Sequence, residues 1–255
     1  QNYSNYGDSV LTHDWCWANY RNICKEHGRD LATFRFFDDE GNFNAEDLKA
    51  SISELAKTQD QIVFLLNTPA HNPTGYSLSL DDWDRVIKVL NDAPVKVVLF
   101  LDIAYIDYAG EEDEVRAFVP KLAALGDHVL TIFGYSASKT LTAYGMRCGA
   151  TVCLAKTAEE AEEFTKAVGY TSRSTWSNCN RSAQVVMGKI YSDEALQQKV
   201  DEERRTYRDM LLERGKIFEQ TLRENGVKSV PFTAGFFITI PSDDPAGVCA
   251  DLENR

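Results

Sequence analysis

The sequence predicts an α/β fold in which a mostly parallel sheet carries helices on both faces, a three-layer α/β/α arrangement. Three observations carry that prediction. Short apolar runs at residues 62–66, 97–101, 129–133 and 150–154 each have the length of a strand. Amphipathic stretches separate the runs, as crossover helices do between the strands of a parallel sheet. Polar and charged residues gather immediately after the runs, where an open α/β sheet has its ligand-binding rim.

The alternation extends from Leu31 to Leu154. Between the first two runs, Ser79-Leu80-Asp81-Asp82 precedes apolar residues at Trp83, Val86, Ile87 and Leu90. Ser79 therefore reads as an N-cap with an acidic first turn, and the helix should reach about Asn91. Further helices are predicted over 114–125 and 158–168. After Ser177 come two helical stretches, the second running from Glu194 to about Asn225, with Gly226 as its stop. Residues 236–240 give a strand signal. No internal repeat is visible, and the expected organisation is a large domain over 1–225 followed over 226–255 by the start of a second domain that is cut off.

With 255 residues the chain can bury one sizeable core, and 44% hydrophobic and 26% charged residues are ordinary globular values. A formal net charge of −12, with no basic run to offset it, argues against nucleic acid or anionic lipid as a partner. No apolar stretch approaches the roughly 20 residues that span a bilayer, and Gln1-Asn2-Tyr3-Ser4 does not open a secretory signal. A cytoplasmic location follows as the expectation. Cys16, Cys24, Cys148, Cys153, Cys179 and Cys249 are scattered, without Cys-x-x-Cys spacing or a matching histidine set. Reduced thiols are expected, and neither a metal site nor a disulfide framework.

The chemistry-bearing residues follow three successive runs. His71-Asn72-Pro73-Thr74-Gly75 follows the first, Asp102-Ile103-Ala104-Tyr105 the second, and Tyr135-Ser136-Ala137-Ser138-Lys139 the third, with Tyr144 and Arg147 beyond. Taken singly these are weak signals. Asn-Pro-x-Gly is a common turn, and an aspartate at a strand end is commonly a cap or a solvated charge. Together, on consecutive strand–helix units, they bring an amide, a carboxylate, a phenol, hydroxyls, a lysine and an arginine to one rim.

In these motifs, from about Trp17 to Gly235, the chain resembles the fold-type I aminotransferases that use pyridoxal 5'-phosphate, most closely the aspartate and aromatic members. The resemblance implies transamination between an amino acid and a 2-oxo acid, with Lys139 as the Schiff-base lysine and proton shuttle. It implies that Asp102 pairs with the pyridine nitrogen and that Tyr105 and Asn72 bond the 3'-oxygen. Ser136, Ser138 and Arg147 match the phosphate cradle, in which a planar guanidinium takes two oxygens and hydroxyls add donors. Trp17 matches the aromatic stacked on the ring, although by itself an aromatic there is more often core. Arg173 aligns with the arginine that, in dicarboxylate-using members, reaches a neighbouring subunit's site to bind the substrate's distal carboxylate; a surface charge at a helix end is the plain alternative. A homodimer is implied by the family rather than by any interface pattern.

The chain departs from the family pattern at Tyr20, where a histidine usually supports the aspartate; His71 could contribute there or be structural. Three family elements have no counterpart and would lie before Gln1 and after Arg255: a Gly-rich phosphate loop, a partner-subunit tyrosine and an arginine for the substrate α-carboxylate. Residues 1–255 alone are accordingly expected to be poorly active. Two other readings stay open, β-elimination or a related reaction on the same scaffold and a noncatalytic regulatory module.

Overall fold

The computed structural model describes residues 2–254. A six-stranded sheet forms its centre, built from β1 (Ser9–His13), β2 (Asp30–Phe34), β3 (Gln61–Asn67), β4 (Lys96–Asp102), β5 (Val129–Ser136) and β6 (Gly149–Leu154) in the order β2-β1-β3-β4-β5-β6. All neighbours are parallel except β5 and β6. The helices are α1 (Asn19–Glu26), α2 (Ala45–Leu55), α3 (Leu80–Asn91), α4 (Glu112–Val115), α5 (Ala137–Thr140), α6 (Ala158–Thr175), α7 (Arg181–Ser192), α8 (Glu194–Glu224) and α9 (Pro245–Glu253).

Side-chain alternation along β4 builds the three layers. Val97, Leu99 and Leu101 enter the main core with Leu48 and Ile52 of α2 and Trp83, Val86 and Leu90 of α3. Val98 and Phe100 point the other way, to Phe164 and Val168 of α6. The central strands are the driest part, since Ile62, Phe64, Leu66, Leu99 and Leu101 have no exposed surface. Burying a side chain of that size contributes about 1.5–3 kcal/mol.

The cap on α3 forms as its sequence predicts: Ser79 accepts from the Asp82 amide at 3.1 Å, and the Asp82 carboxylate accepts from the Ser79 amide at 3.0 Å. Elsewhere the predicted elements differ from those formed. The helix expected over 114–125 is broken into the short α4 and a 3-10 stretch, Val119–Ala124. Pro120 has no amide hydrogen to donate within a helix, and Phe118 stacks on Trp83 with ring centroids 4.5 Å apart. The strand expected over 236–240 belongs to no ladder among the described residues. Its ordered backbone contact is the Val230 amide donating to the Thr239 carbonyl at 2.9 Å. The helix expected over 158–168 continues to Thr175, while α7 and α8 form the two later helices. α8 is pinned to the loop after β4, where buried Arg208 donates to the Gly110 carbonyl at 3.1 Å and pairs with Glu111.

Two buried histidines meet beneath the strand ends. His13 and His71 lie with ring centroids 4.2 Å apart, and neither exposes any surface. His13 Nδ1 donates to the Trp15 carbonyl at 2.6 Å, and His71 Nδ1 meets Thr74 Oγ1 at 2.7 Å. Among the described residues both Nε2 atoms lack a hydrogen-bond partner, so a proton added to either would be a buried charge without an acceptor. Burial lowers the His13 pKa to about 4, and burial together with the His13 neighbour holds His71 well below the ordinary range. As pH falls from 6.5, the unfolded chain takes up these protons first, so native stability should decline below pH 6.5, with the His13 part of the loss complete near pH 4. The His13 part of that loss is about 3 kcal/mol. Urea midpoints measured at pH 7.5, 6 and 5 check this, and equal midpoints would refute it.

Candidate active site

The strand ends converge on a cavity of about 180 Å³. Trp17, Asn72, Asp102, Tyr105, Ser136, Ser138, Lys139 and Arg147, all singled out from the sequence, line it together with Tyr20, Asn67 and Tyr144. Parallel pairing sets the base of the cavity, because Asn67 at the end of β3 stands in register with Asp102 at the end of β4. Asn67 Nδ2 donates to the Asp102 carbonyl at 2.8 Å, and Asn67 Oδ1 accepts from the Asn72 amide at 2.8 Å. Asn72 in turn donates through Nδ2 to Tyr105 Oη at 3.2 Å. One chain of hydrogen bonds thus connects four residues at the rim, Asp102, Asn67, Asn72 and Tyr105.

Asp102 is held from two sides. Its Oδ2 accepts from Tyr20 Oη at 2.5 Å, and its Oδ1 accepts from the Ala104 amide at 3.1 Å. Burial raises its pKa, while the Tyr20 bond, the Ala104 amide and the Lys139 charge work in the opposite direction. Burial and the adjacent carboxylate push the Tyr20 phenol far upward, which leaves it a donor throughout the physiological range. Burial also raises Tyr105. Trp17 stands edge-on to Tyr20 with ring centroids 5.5 Å apart, keeping part of its indole exposed.

The same cavity holds two cations, Lys139 and Arg147. Lys139 is in the one-turn helix α5, which Ser136 caps by accepting from the Ser138 amide at 3.3 Å. Its Nζ lies 5.0 Å from the centroid of Tyr144 and 5.7 Å from that of Tyr105. Arg147 adopts a left-handed backbone, φ 50°, a conformation that costs a non-glycine residue about 1–2 kcal/mol. Its Nη1 donates to the Tyr144 carbonyl at 2.9 Å and to Ser138 Oγ at 3.3 Å. Among the described residues neither Lys139 nor Arg147 forms a salt bridge. Two cations and two serine hydroxyls are therefore available to an anion, and in the same cavity a carboxylate is available to a protonated ring nitrogen. This donor set fits a phosphorylated pyridine aldehyde, with the amine of Lys139 to bond the aldehyde carbon.

Other sequence-selected residues lie elsewhere. Arg173 is exposed in the last turn of α6, where Nη1 donates to Ser177 Oγ at 2.7 Å and to the Ser177 carbonyl at 3.2 Å. His71 faces His13 and is not part of the cavity lining. Asn67 was not singled out from the sequence, although a polar residue closing an apolar strand run was the available signal. A larger cavity of about 530 Å³ involves Ser77, Trp83, Phe118 and Arg85, but there Asp82 and Arg85 pair with each other at 2.5 Å.

An α/β sheet with a lysine, a carboxylate and an anion cradle at one rim defines the fold-type I class of pyridoxal 5'-phosphate proteins. Residues 3–246 match the family model for aminotransferase class I and II, and the chain belongs to that family. It is 31% identical over 191 residues to an aromatic-amino-acid aminotransferase of Escherichia coli, a match covering 73% of this chain and 46% of that protein. An aspartate aminotransferase of Pseudomonas aeruginosa is 27% identical over 221 residues, with 86% of this chain and 54% of the relative covered. The crystal structure of an aminotransferase from Anaerococcus prevotii superimposes with a TM-score of 0.94 at 37% identity, over 99% of this chain and 62% of that one. The chain spans about half the length of the curated relatives it matches.

Removing the Tyr20 hydroxyl isolates its effect on Asp102. Tyr20→Phe should raise the Asp102 pKa, because the lost bond favours the charged carboxyl. It should also cost about 1.5–3 kcal/mol of stability at pH 7, the range for a hydrogen bond to a charged group. Infrared titration of the carboxyl band together with urea unfolding checks both; an unchanged carboxyl titration would count against the assignment.

Proposed function

We propose that this chain belongs to a pyridoxal 5'-phosphate-dependent aminotransferase that moves an amino group between an amino acid and a 2-oxo acid. The observation that carries the reading is that the Lys139 amine, the Asp102 carboxylate and the Arg147 guanidinium, which has no carboxylate partner among the described residues, line one cavity. When bound, the cofactor supplies an electron sink for the substrate's α-carbon electrons. Asp102 would hold the proton on the ring nitrogen, and its bonds from Tyr20 and Ala104 fix both carboxylate oxygens for that task. Asn72 and Tyr105, already joined to each other, would bond the 3'-oxygen. Ser136, Ser138 and Arg147 would hold the phosphate, and Trp17 would cover the ring face.

Lys139 has two successive roles in this reading. As nucleophile it attaches the cofactor, and as general base its released amine takes the proton from the substrate α-carbon. The cation–π approach of Nζ to Tyr144 and Tyr105 keeps the amine at the mouth of the cavity rather than in solvent.

The same proposal takes aspartate, glutamate or an aromatic amino acid as donor, supported by the aspartate and aromatic aminotransferases among the relatives. Arg173 would serve a second subunit's site, which suits its exposed position and its lack of a carboxylate partner among the described residues. A homodimer is part of the reading, and exposed Tyr170, Trp176, Val185 and Val186 are apolar surface suited to a partner. The second-domain assignment beginning at residue 226 also belongs to it, supported by the end of α8 at Glu224 and the loop that follows. A cytoplasmic location is consistent with six unpaired cysteines. Among the described residues no helix is long and apolar enough to cross a membrane.

The protein loaded with pyridoxal 5'-phosphate should show a visible absorption band that is absent in Lys139→Ala, with turnover reduced on the order of a thousandfold or more. A panel of amino donors with 2-oxoglutarate should form glutamate fastest from aspartate or an aromatic amino acid. Release of ammonia or thiol in place of glutamate would identify a lyase, and no turnover with a retained band would point to a binding module.

A further inference from the structure

We infer that Asp107 is a positioning residue for Lys139, acting through Thr140; the inference rests on the role proposed for Lys139. The lysine-bearing α5 has four residues, too few to hold a fixed geometry on its own. Its orientation depends on what grips each end. At the first end the Ala137 amide donates to the Cys148 carbonyl at 3.1 Å, and Ser136 supplies the cap. At the other end Thr140 Oγ1 donates to Asp107 Oδ2 at 2.7 Å, and both side chains are almost fully buried. Asp107 Oδ1 accepts from Arg116 Nη2 at 3.1 Å, which fixes the carboxylate from behind.

The position of Asp107 in the chain gives this contact its consequence. It lies five residues after Asp102 and two after Tyr105, in the 3-10 turn Ile106–Tyr108 that continues the same loop. A single loop therefore carries the carboxylate for the ring nitrogen, the phenol for the 3'-oxygen, and the tether for the lysine. Lys139 occupies the residue immediately before Thr140, so a shift of the tether moves the amine relative to Asp102. Neither Asp107 nor Thr140 lines the cavity, and their effect is on placement alone.

The test uses the full chain loaded with pyridoxal 5'-phosphate, following visible circular dichroism of the bound cofactor and the rate at which hydroxylamine strips it. Thr140→Val, close in shape but without the hydroxyl, and Asp107→Ala should each weaken the dichroic band and speed stripping by about tenfold, as expected for loss of a buried bond to a charged group. Thr140→Ser, which restores the donor, should behave as wild type. The double variant Asp107→Ala with Thr140→Val should be no worse than Asp107→Ala alone, because that change already removes the bond to Thr140. Wild-type dichroism and stripping in Thr140→Val, or fully additive effects in the double variant, would overturn the inference. Lys139→Ala separates the two levels: a visible band that survives there sinks the underlying role of Lys139 and the tether with it, whereas a lost band with unaltered Thr140→Val sinks the tether alone.

Discussion

The pairing of Asn67 with Asp102 at the ends of β3 and β4 is the constraint on which the rest of the site depends. Because the strands are parallel and in register, both residues emerge at the same level of the sheet. The Asn67 amide then does two things, bonding the Asp102 carbonyl and the Asn72 amide. The loops that leave the two strands are thereby locked together at the base of the cavity. A slip of one residue would send Asp102 to the opposite face of the sheet and dissolve the constellation. The dry interior of β3 and β4 is what makes that slip costly.

Around this base the charges are divided. A partly buried carboxylate is kept ionisable by a phenol and a backbone amide, and two cations without carboxylate partners among the described residues line the same cavity. Tyr20 occupies the place where the resemblance calls for a histidine. A phenol donates one proton and does not become cationic in the physiological range, so the support it gives Asp102 varies little with pH. An imidazole in that place would bring a second titration close to the first.

Much of this was readable in the sequence, and for definable reasons. The four apolar runs became β3 to β6, three of them because a buried strand needs an uninterrupted apolar stretch and β6 as a largely exposed edge strand, and Ser79 with Asp82 announced α3 through its capping chemistry. The motifs after the runs marked the site because a sheet delivers consecutive strand ends to one rim. Other features were hidden. The antiparallel direction of β6 leaves no mark on its composition, and the expected 114–125 helix is interrupted at Pro120 and by the stacking of Phe118 on Trp83. The Tyr20 contact joins residues 82 positions apart, and only a fold reveals such a partner. Asn67 closes an apolar run as many capping or turn residues do, and its two bonds become visible only once its register with Asp102 is known.

The grip of Arg208 on Gly110 and Glu111 gives α8 a mechanical meaning. A 31-residue helix is about 46 Å long. Arg208 lies near its middle, so the longest helix of the chain is anchored to the same connection after β4 that carries Tyr105 and Asp107.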